Sequence, residues 1–329
     1  MIRMTRRQGY LKVCLATLLA LSGLVGCAPN AETDAPEQTG GADAAPFVIV
    51  VADAKSTHHL NLYVAKEKGL FEAKGLDVRI VESADLTAAR DLVVSGEADA
   101  FWSCPTVAIA AIANGAPIQT IAQVKKPCTS VLVVSADSPI VEIKDLAGKR
   151  IAGISPACEA VISYTRVAQK AGVEFQLEKL AGGEAIAALE GAAVDGAILE
   201  EPHVSVAELK GFKVLFPEVS QSIPCRTINV RNAVIESNPE EYKLFIEAID
   251  EANEIILADP TSDEIVAIAV KYTSAPADAI VKGNDRLKFD IELDTVGLKS
   301  LGDDLVTLGN INENPGEALF SRAFKGITW

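Results

Sequence analysis

Residues 47–82 read FVIVVADAKSTHHLNLYVAKEKGLFEAKGLDVRIVE. Phe47 to Val51 is an apolar run of strand length. His59 to Lys68 places apolar residues at helical spacing and stops at Gly69. Asp77 to Glu82 alternates as a half-buried strand does. Strand, helix and strand in so short a span form a βαβ unit, the building block of parallel sheets with crossover helices.

The same alternation continues on the C-terminal side. Leu86 to Ser95 predicts a helix ended by Gly96, and Ala98 to Ser103 a strand. Pro105 to Ala113 predicts a helix closed by Asn114-Gly115, and Ile118 to Val124 a strand. One parallel sheet is therefore expected over 47–124. The pattern then restarts. Strands are expected at 130–134, 149–154, 175–179, 196–199, 214–216 and 227–230, with helices at 156–171 and 184–190 and another opened by Pro202. Beyond these the chain turns mostly helical, at 239–258, 262–272, 276–282 and 295–308. The fold class is α/β in two such units, with no convincing internal repeat.

Composition narrows the function. Of 329 residues, 49% are apolar, too many for a disordered chain. Asp and Glu number 45 against 30 Lys and Arg, which argues against a nucleic-acid partner. Six cysteines in a chain this long do not make a small disulfide scaffold. No apolar stretch of membrane-spanning length appears beyond the N-terminus.

That N-terminus reads as an address. Arg3, Arg6, Arg7 and Lys12 precede a short apolar run, Val13 to Val25, which ends Leu24-Val25-Gly26-Cys27. Basic then apolar is the order of a secretory signal. A small residue before a cysteine resembles the bacterial lipoprotein cleavage box, so residues 1–26 are expected to be removed and Cys27 lipidated. Residues 27–46 are then a flexible tether, small, polar and without apolar periodicity. The protein is expected at the extracytoplasmic face of the membrane, held by the lipid at Cys27.

Four stretches carry a family likeness: His59 to Phe71 with Gly75-Leu-Asp-Val78; Gly96-Glu-Ala-Asp99 with Ala113-Asn-Gly-Ala-Pro-Ile118; Asp145-Leu-Ala-Gly-Lys-Arg-Ile151; and Val194-Asp-Gly-Ala-Ile-Leu-Glu-Glu-Pro202. In order and spacing they resemble the extracytoplasmic substrate-binding proteins of ABC importers, in the branch that carries nitrate, sulfonates, taurine and thiamine-pyrimidine precursors. The resemblance implies a two-lobed periplasmic-binding-protein fold of type II. Residues 47–126 and 226–329 would form the first lobe and 127–225 the second, with the ligand between them. It implies a monomer that binds a small-molecule solute, delivers it to the transmembrane subunits of an ABC permease, and performs no covalent chemistry. The family also has an enzyme relative, a pyrimidine synthase that donates its own histidine. The signal and tether argue against that activity here.

The cleft is expected where loops leave the strands. The segments are Asp53–His59, Ser103–Thr106, Lys125–Cys128, Ser155–Glu159, Glu200–His203 and the returning Pro224–Thr227. Pro105, Pro156 and Pro202 open helices, with Ser103 and Ser155 as candidate caps. Helix N-termini offer free N–H groups to a polar or anionic ligand. All three histidines, His58, His59 and His203, fall in these segments, and so do Cys104, Cys128, Cys158 and Cys225. Candidate ligand contacts are Ser56, Thr57, His58, His59, Ser103, Cys104, Thr106, Ser155, Cys158, Glu159, Glu200, Glu201 and His203. By the resemblance, His59 matches a histidine of the pyrimidine-precursor branch.

Three readings of the cysteines stay open. Cys128 and Cys225 each follow a Pro at a lobe crossing, where a disulfide is sterically sensible. Cys104 and Cys158 would face the ligand from opposite lobes. Cys and His together could instead hold a soft metal or do thiol chemistry, as in an extracytoplasmic metal-binding or redox protein. No CxxC or HxxxH spacing supports a metal, and no GxGxxG, GxxxxGK[ST] or GxSxG supports a cofactor or a serine nucleophile. Finally, Glu200 or Glu201 is expected to face His59 across the cleft. A buried carboxylate needs a partner, so the ligand is expected to bring an N–H or cationic group as well as an acceptor.

Overall fold

The structure, a computed structural model, describes residues 45–125 and 127–321. The expected leader, Cys27, nearly all of the tether, Lys126 and residues 322–329 lie outside those residues. Among the described residues, no helix is long and apolar enough to cross a membrane.

Among the described residues, ten strands fall in two sheets. They are β1 (Phe47–Asp53), β2 (Leu76–Glu82), β3 (Ala100–Ser103), β4 (Ile118–Lys125), β5 (Val131–Val134), β6 (Arg150–Gly153), β7 (Gln176–Lys179), β8 (Gly196–Leu199), β9 (Lys213–Leu215) and β10 (Cys225–Arg231). The first sheet has the order β2-β1-β3-β10-β4 and the second β7-β6-β8-β5-β9.

Sequence alternation foresaw a purely parallel sheet over 47–124, and this is corrected. β1, β2 and β3 are parallel, but β10 enters between β3 and β4 and runs antiparallel to both. The reason is connectivity. After β4 the chain leaves to build the second sheet, returns from the opposite end, and fills the remaining slot. β5 plays the matching part in the second sheet, antiparallel to β8 and β9, while β6, β7 and β8 are parallel. The two passages run side by side, with Cys128 N donating to Ile223 O at 3.0 Å.

The helix Pro239–Ala258 covers the first sheet. Its Phe245 stacks on Phe71 at 5.3 Å and meets Trp102 edge-on at 5.9 Å. Buried Asn61, on the helix Leu60–Glu67, donates to Asn253 at 3.0 Å, so this polar pair is satisfied inside the apolar layer. The helix Thr295–Thr307 sets Leu298, Leu301 and Leu305 into one apolar cluster with Ile109 and Ile162, which belong to helices beside different sheets. These helices, Pro105–Ala113 and Glu159–Lys170, start close together and so bring their first residues to one place.

Candidate functional site

Loops from both sheets converge on a cavity of roughly 350 Å³. Lys55 and Ser56 line it from the end of β1, Cys158 from the approach to the helix Glu159–Lys170, Glu200 and His203 from the end of β8, and Arg226 from β10. Ligands in α/β sheets gather beyond the strands' carboxyl ends for this reason. Two further segments, Ala84–Leu86 and Ala181–Gly182, complete the wall and were not foreseen. At Gly182 a side chain would be strained and would displace His203: its φ is +50°, and a Cβ there would lie 2.8 Å from His203 Nε2.

Asp53, buried at the end of β1, shapes the first loop. It lies 2.6 Å from His59 Nδ1, accepts from the Tyr63 hydroxyl at 2.7 Å and from Lys55 N at 3.2 Å. The Tyr63 hydroxyl in turn accepts from Ser56 N at 3.1 Å. Burial raises the Asp53 carboxyl, but the hydrogen bond and field of His59, then the Tyr63 hydroxyl, outweigh it and bring the pKa below the ordinary carboxylate value. Lys55 takes φ +48° at the turn, and Ser56 Oγ caps the 3-10 turn Thr57–His59 by accepting from His58 N at 3.2 Å.

Arg226 ties the cavity to the passage that returns into β10. It is 1% exposed and holds φ +58°, a conformation L-residues seldom adopt. Its guanidinium pairs with Glu200 through Nη2 and donates to Cys104 Sγ at 2.6 Å through Nη1. Glu200 also accepts from Ser56 Oγ at 3.3 Å and lies 3.8 Å from His58 Nδ1. Arg226 near the start of the strand Cys225–Arg231, just ahead of Ile228 and Val230, was the sequence signal that could have found it.

The expected arrangement of the two glutamates is corrected. Glu201 is directed away from the cavity. Its carboxylate takes Arg286 Nη1 at 2.7 Å and Ser205 N at 3.2 Å. Glu200 meets His58 rather than His59, because Asp53 already holds His59. Both carboxylates thus have protein counter-charges, so they are no longer a ground for expecting an N–H or cationic group on the ligand. Ser103 lies off the cavity and is held by Asn229 Nδ2 at 3.2 Å. Ser155 accepts from Ala157 N at 3.2 Å within its own turn. Neither serine is a cap; Cys104 and Cys158 occupy the N-cap positions, without side-chain capping bonds. Thr106 Oγ1 donates to Ala157 O, a link between the two halves. Thr57 Oγ1 is buried without a partner.

The four cysteines are buried free thiols, so the Cys128–Cys225 disulfide is not formed. They surround buried Glu159. Its Oε1 lies 3.4 Å from Cys225 Sγ and 4.0 Å from Cys128 Sγ, and its Oε2 3.7 Å from Cys158 Sγ. Cys104 Sγ and Cys158 Sγ are 4.0 Å apart. Burial and the neighbouring sulfur push Cys225 well up, while the bond from Cys225 lowers Cys128.

Burial, then the charges of Lys125 and Arg226, push His58 well below the ordinary histidine value. His203 is lowered by burial. His58 is held neutral in the fold and takes up a proton when the chain unfolds below about pH 6.5, and His203 acts in the same direction. The unfolded state then binds more protons, and stability falls as pH drops through that value. His58 alone should remove up to ~1.4 kcal/mol per pH unit over this range. Urea unfolding between about pH 7 and about pH 5 measures it. The His58→Gln chain should lose one proton from the slope; an unchanged slope would place that proton elsewhere.

Residues 56–263 match the profile of a family described as NMT1/THI5 like. The chain belongs to this family. Among curated NMT1/THI5-like relatives, the 4-amino-5-hydroxymethyl-2-methylpyrimidine phosphate synthase THI11 of Saccharomyces cerevisiae is 24% identical over 221 residues. That match covers 62% of this chain and 64% of the yeast protein, just short of two thirds of its length. Among solved structures, the periplasmic aliphatic sulphonate-binding protein SsuA of Escherichia coli aligns with TM-score 0.75 and 19% identity, covering 84% of this chain and 92% of that one. The periplasmic nitrate-binding protein NrtA of Synechocystis PCC 6803 aligns with TM-score 0.65 and 16% identity, covering 81% and 82%. These likenesses establish the two-lobed binding-protein fold. The expectation that the chain performs no covalent chemistry is overturned, because NMT1/THI5-like relatives matched in sequence are named as an enzyme.

Proposed function

We propose that this protein captures a small polar solute between its lobes and delivers it to the membrane subunits of an ABC importer. Residues 47–126 and 226–329 act as one lobe and 127–225 as the other, hinged at the paired passages before β5 and into β10. In this reading the chain is exported, is anchored through Cys27, works as a monomer and binds its solute outside the cytoplasm. The observation that carries the proposal is the cavity of roughly 350 Å³ with Arg226–Glu200 at its base and polar loops from both sheets around it. Its size lies within the range of small-molecule sites.

The wall chemistry selects among solutes. Lys55 and Arg226 face Glu200 and Asp85, so the charged groups at the cavity balance. His203 is neutral. A bare anion would meet two carboxylates and an arginine that is already paired. A neutral solute with both N–H groups and ring acceptors suits this wall better, and an aminopyrimidine has that pattern. Calorimetric titration of the full chain should show 4-amino-5-hydroxymethyl-2-methylpyrimidine binding at least about tenfold, or ~1.4 kcal/mol, more tightly than nitrate or an alkanesulfonate. The reverse order would overturn the assignment of the ligand.

A second reading rests on the named relatives: the chain transforms a pyrimidine instead of carrying it. His203, the histidine that lines the cavity, is the group within reach of a solute for such chemistry. Mass spectrometry of the solute after incubation separates the two readings, since a carried solute is recovered unchanged.

A further inference from the structure

Cys104 and Cys158 stand at the starts of two helices packed beside different sheets, and their sulfurs are 4.0 Å apart. Glu159 Oε2 lies 3.7 Å from Cys158 Sγ. One donor atom from each of Cys104, Cys158 and Glu159 lies within 4.8 Å of the others, and all three residues are buried. We propose that Cys104, Cys158 and Glu159 form a binding site for a thiophilic divalent cation of the zinc class, assembled where the two lobes meet.

The geometry selects the ion class. Metal–thiolate bonds of ~2.3 Å that span 4.0 Å enclose an angle of about 120°. That angle is near tetrahedral; a linear two-thiolate ion would need its sulfurs ~4.6 Å apart. Two sulfurs and one carboxylate oxygen suit zinc-like ions rather than magnesium or calcium, which want oxygen alone. Second-sphere groups are in place. Arg226 Nη1 lies 2.6 Å from Cys104 Sγ and stabilises a thiolate there. Glu159 Oε1 is turned to Cys225, 3.4 Å away, which orients the carboxylate. Cys158 lines the solute cavity, so an ion has an entry path and its fourth position opens toward that cavity. Binding displaces the thiol protons, two per ion when both cysteines ligate as thiolates.

The site does not depend on which solute the cleft carries, and its test uses metal alone. The full chain, reduced with a phosphine, is titrated with Co(II) and then with Zn(II) in competition with a chromophoric chelator. One equivalent should bind with a thiolate-to-cobalt charge-transfer band. Cys104→Ser and Cys158→Ser should each abolish or shift that band and weaken binding by no less than the roughly 10–100-fold typical of losing a supporting partner. Glu159→Gln is the second variant, in case a serine chain fails to fold. It should keep the band and lose affinity. A reduced chain that binds no stoichiometric metal, a metal complex without the thiolate band, or a band and affinity unchanged in Cys104→Ser overturns the proposal.

Discussion

Replacing Arg226 with methionine should cost about 3 kcal/mol of stability and abolish solute capture in the chains that still fold. The guanidinium is buried, paired with Glu200 and bonded to Cys104 Sγ. Burial works against its charge, and Cys104 and Glu200 more than restore it, leaving the pKa well above the ordinary value. Removing it leaves Glu200 without its cation. Glu200 retains 22% side-chain exposure and can turn partly to water, which places the loss at the lower end of the ~3–5 kcal/mol seen for broken buried pairs. Lysine should not rescue the site, because one ammonium cannot serve Glu200 and Cys104 from a planar fork. Glycine should lose slightly less stability than alanine, since the backbone at φ +58° favours it. Urea unfolding of the four variants checks each statement. A methionine variant within ~1 kcal/mol of the parent would show that the pair contributes little.

Asp53→Ala should be nearly as damaging. It strands the Tyr63 hydroxyl and His59 Nδ1 inside the protein, and each orphaned group costs about 1–3 kcal/mol. Asp53→Asn should lose less, since the amide oxygen can still accept one bond. The effect carries a pH signature. The folded pKa of Asp53 is depressed, so its contribution is complete above the ordinary carboxylate value and is lost as pH falls through the folded one. Parent and Asp53→Asn chains should therefore differ most near neutral pH and converge in strong acid. Unfolding midpoints at about pH 7 and about pH 3 test this. A gap of constant size would remove ionisation from the account. Because Lys55 N bonds to Asp53, the same change should also loosen the loop that supplies Lys55 and Ser56 to the cavity.

Local chemistry made most elements legible. Leu86–Ser95 and Pro105–Ala113 have the predicted bounds. Asp85 accepts from Thr87 N and Ala88 N at 2.8 Å and Gly96 takes φ +87°, while Pro105 needs no N–H at the start of its helix. Strand order was not legible, because pairing of β10 with β3 and β4 depends on contacts about a hundred positions apart or more. The helix 156–171 starts later than expected, at Glu159, since the turn after Ser155 uses that serine locally. Which carboxylates met which cations was equally hidden. Arg286 reaches Glu201 from a segment with no sequence link to it. Cys104, Cys128 and Cys158 lie between elements, whereas Cys225 opens β10 and His203 opens the helix His203–Leu209; the grouping of the cysteines around Glu159 emerges only when both sheets are assembled.

The position of β10 has a consequence for how the chain comes to be folded. It occupies the slot between β3 and β4, yet it is made about a hundred residues after them. Until Arg231 is available, a growing or threading chain holds β3 and β4 with open edges and unpaired backbone groups, the condition that invites edge-to-edge association. The first half cannot close alone, while the second sheet is contiguous in sequence from β5 to β9 and can form as a unit. Closure over such long separations is slow. The inserted half is expected to assemble first, and a polypeptide truncated before Cys225 would lack an interior strand of its first sheet.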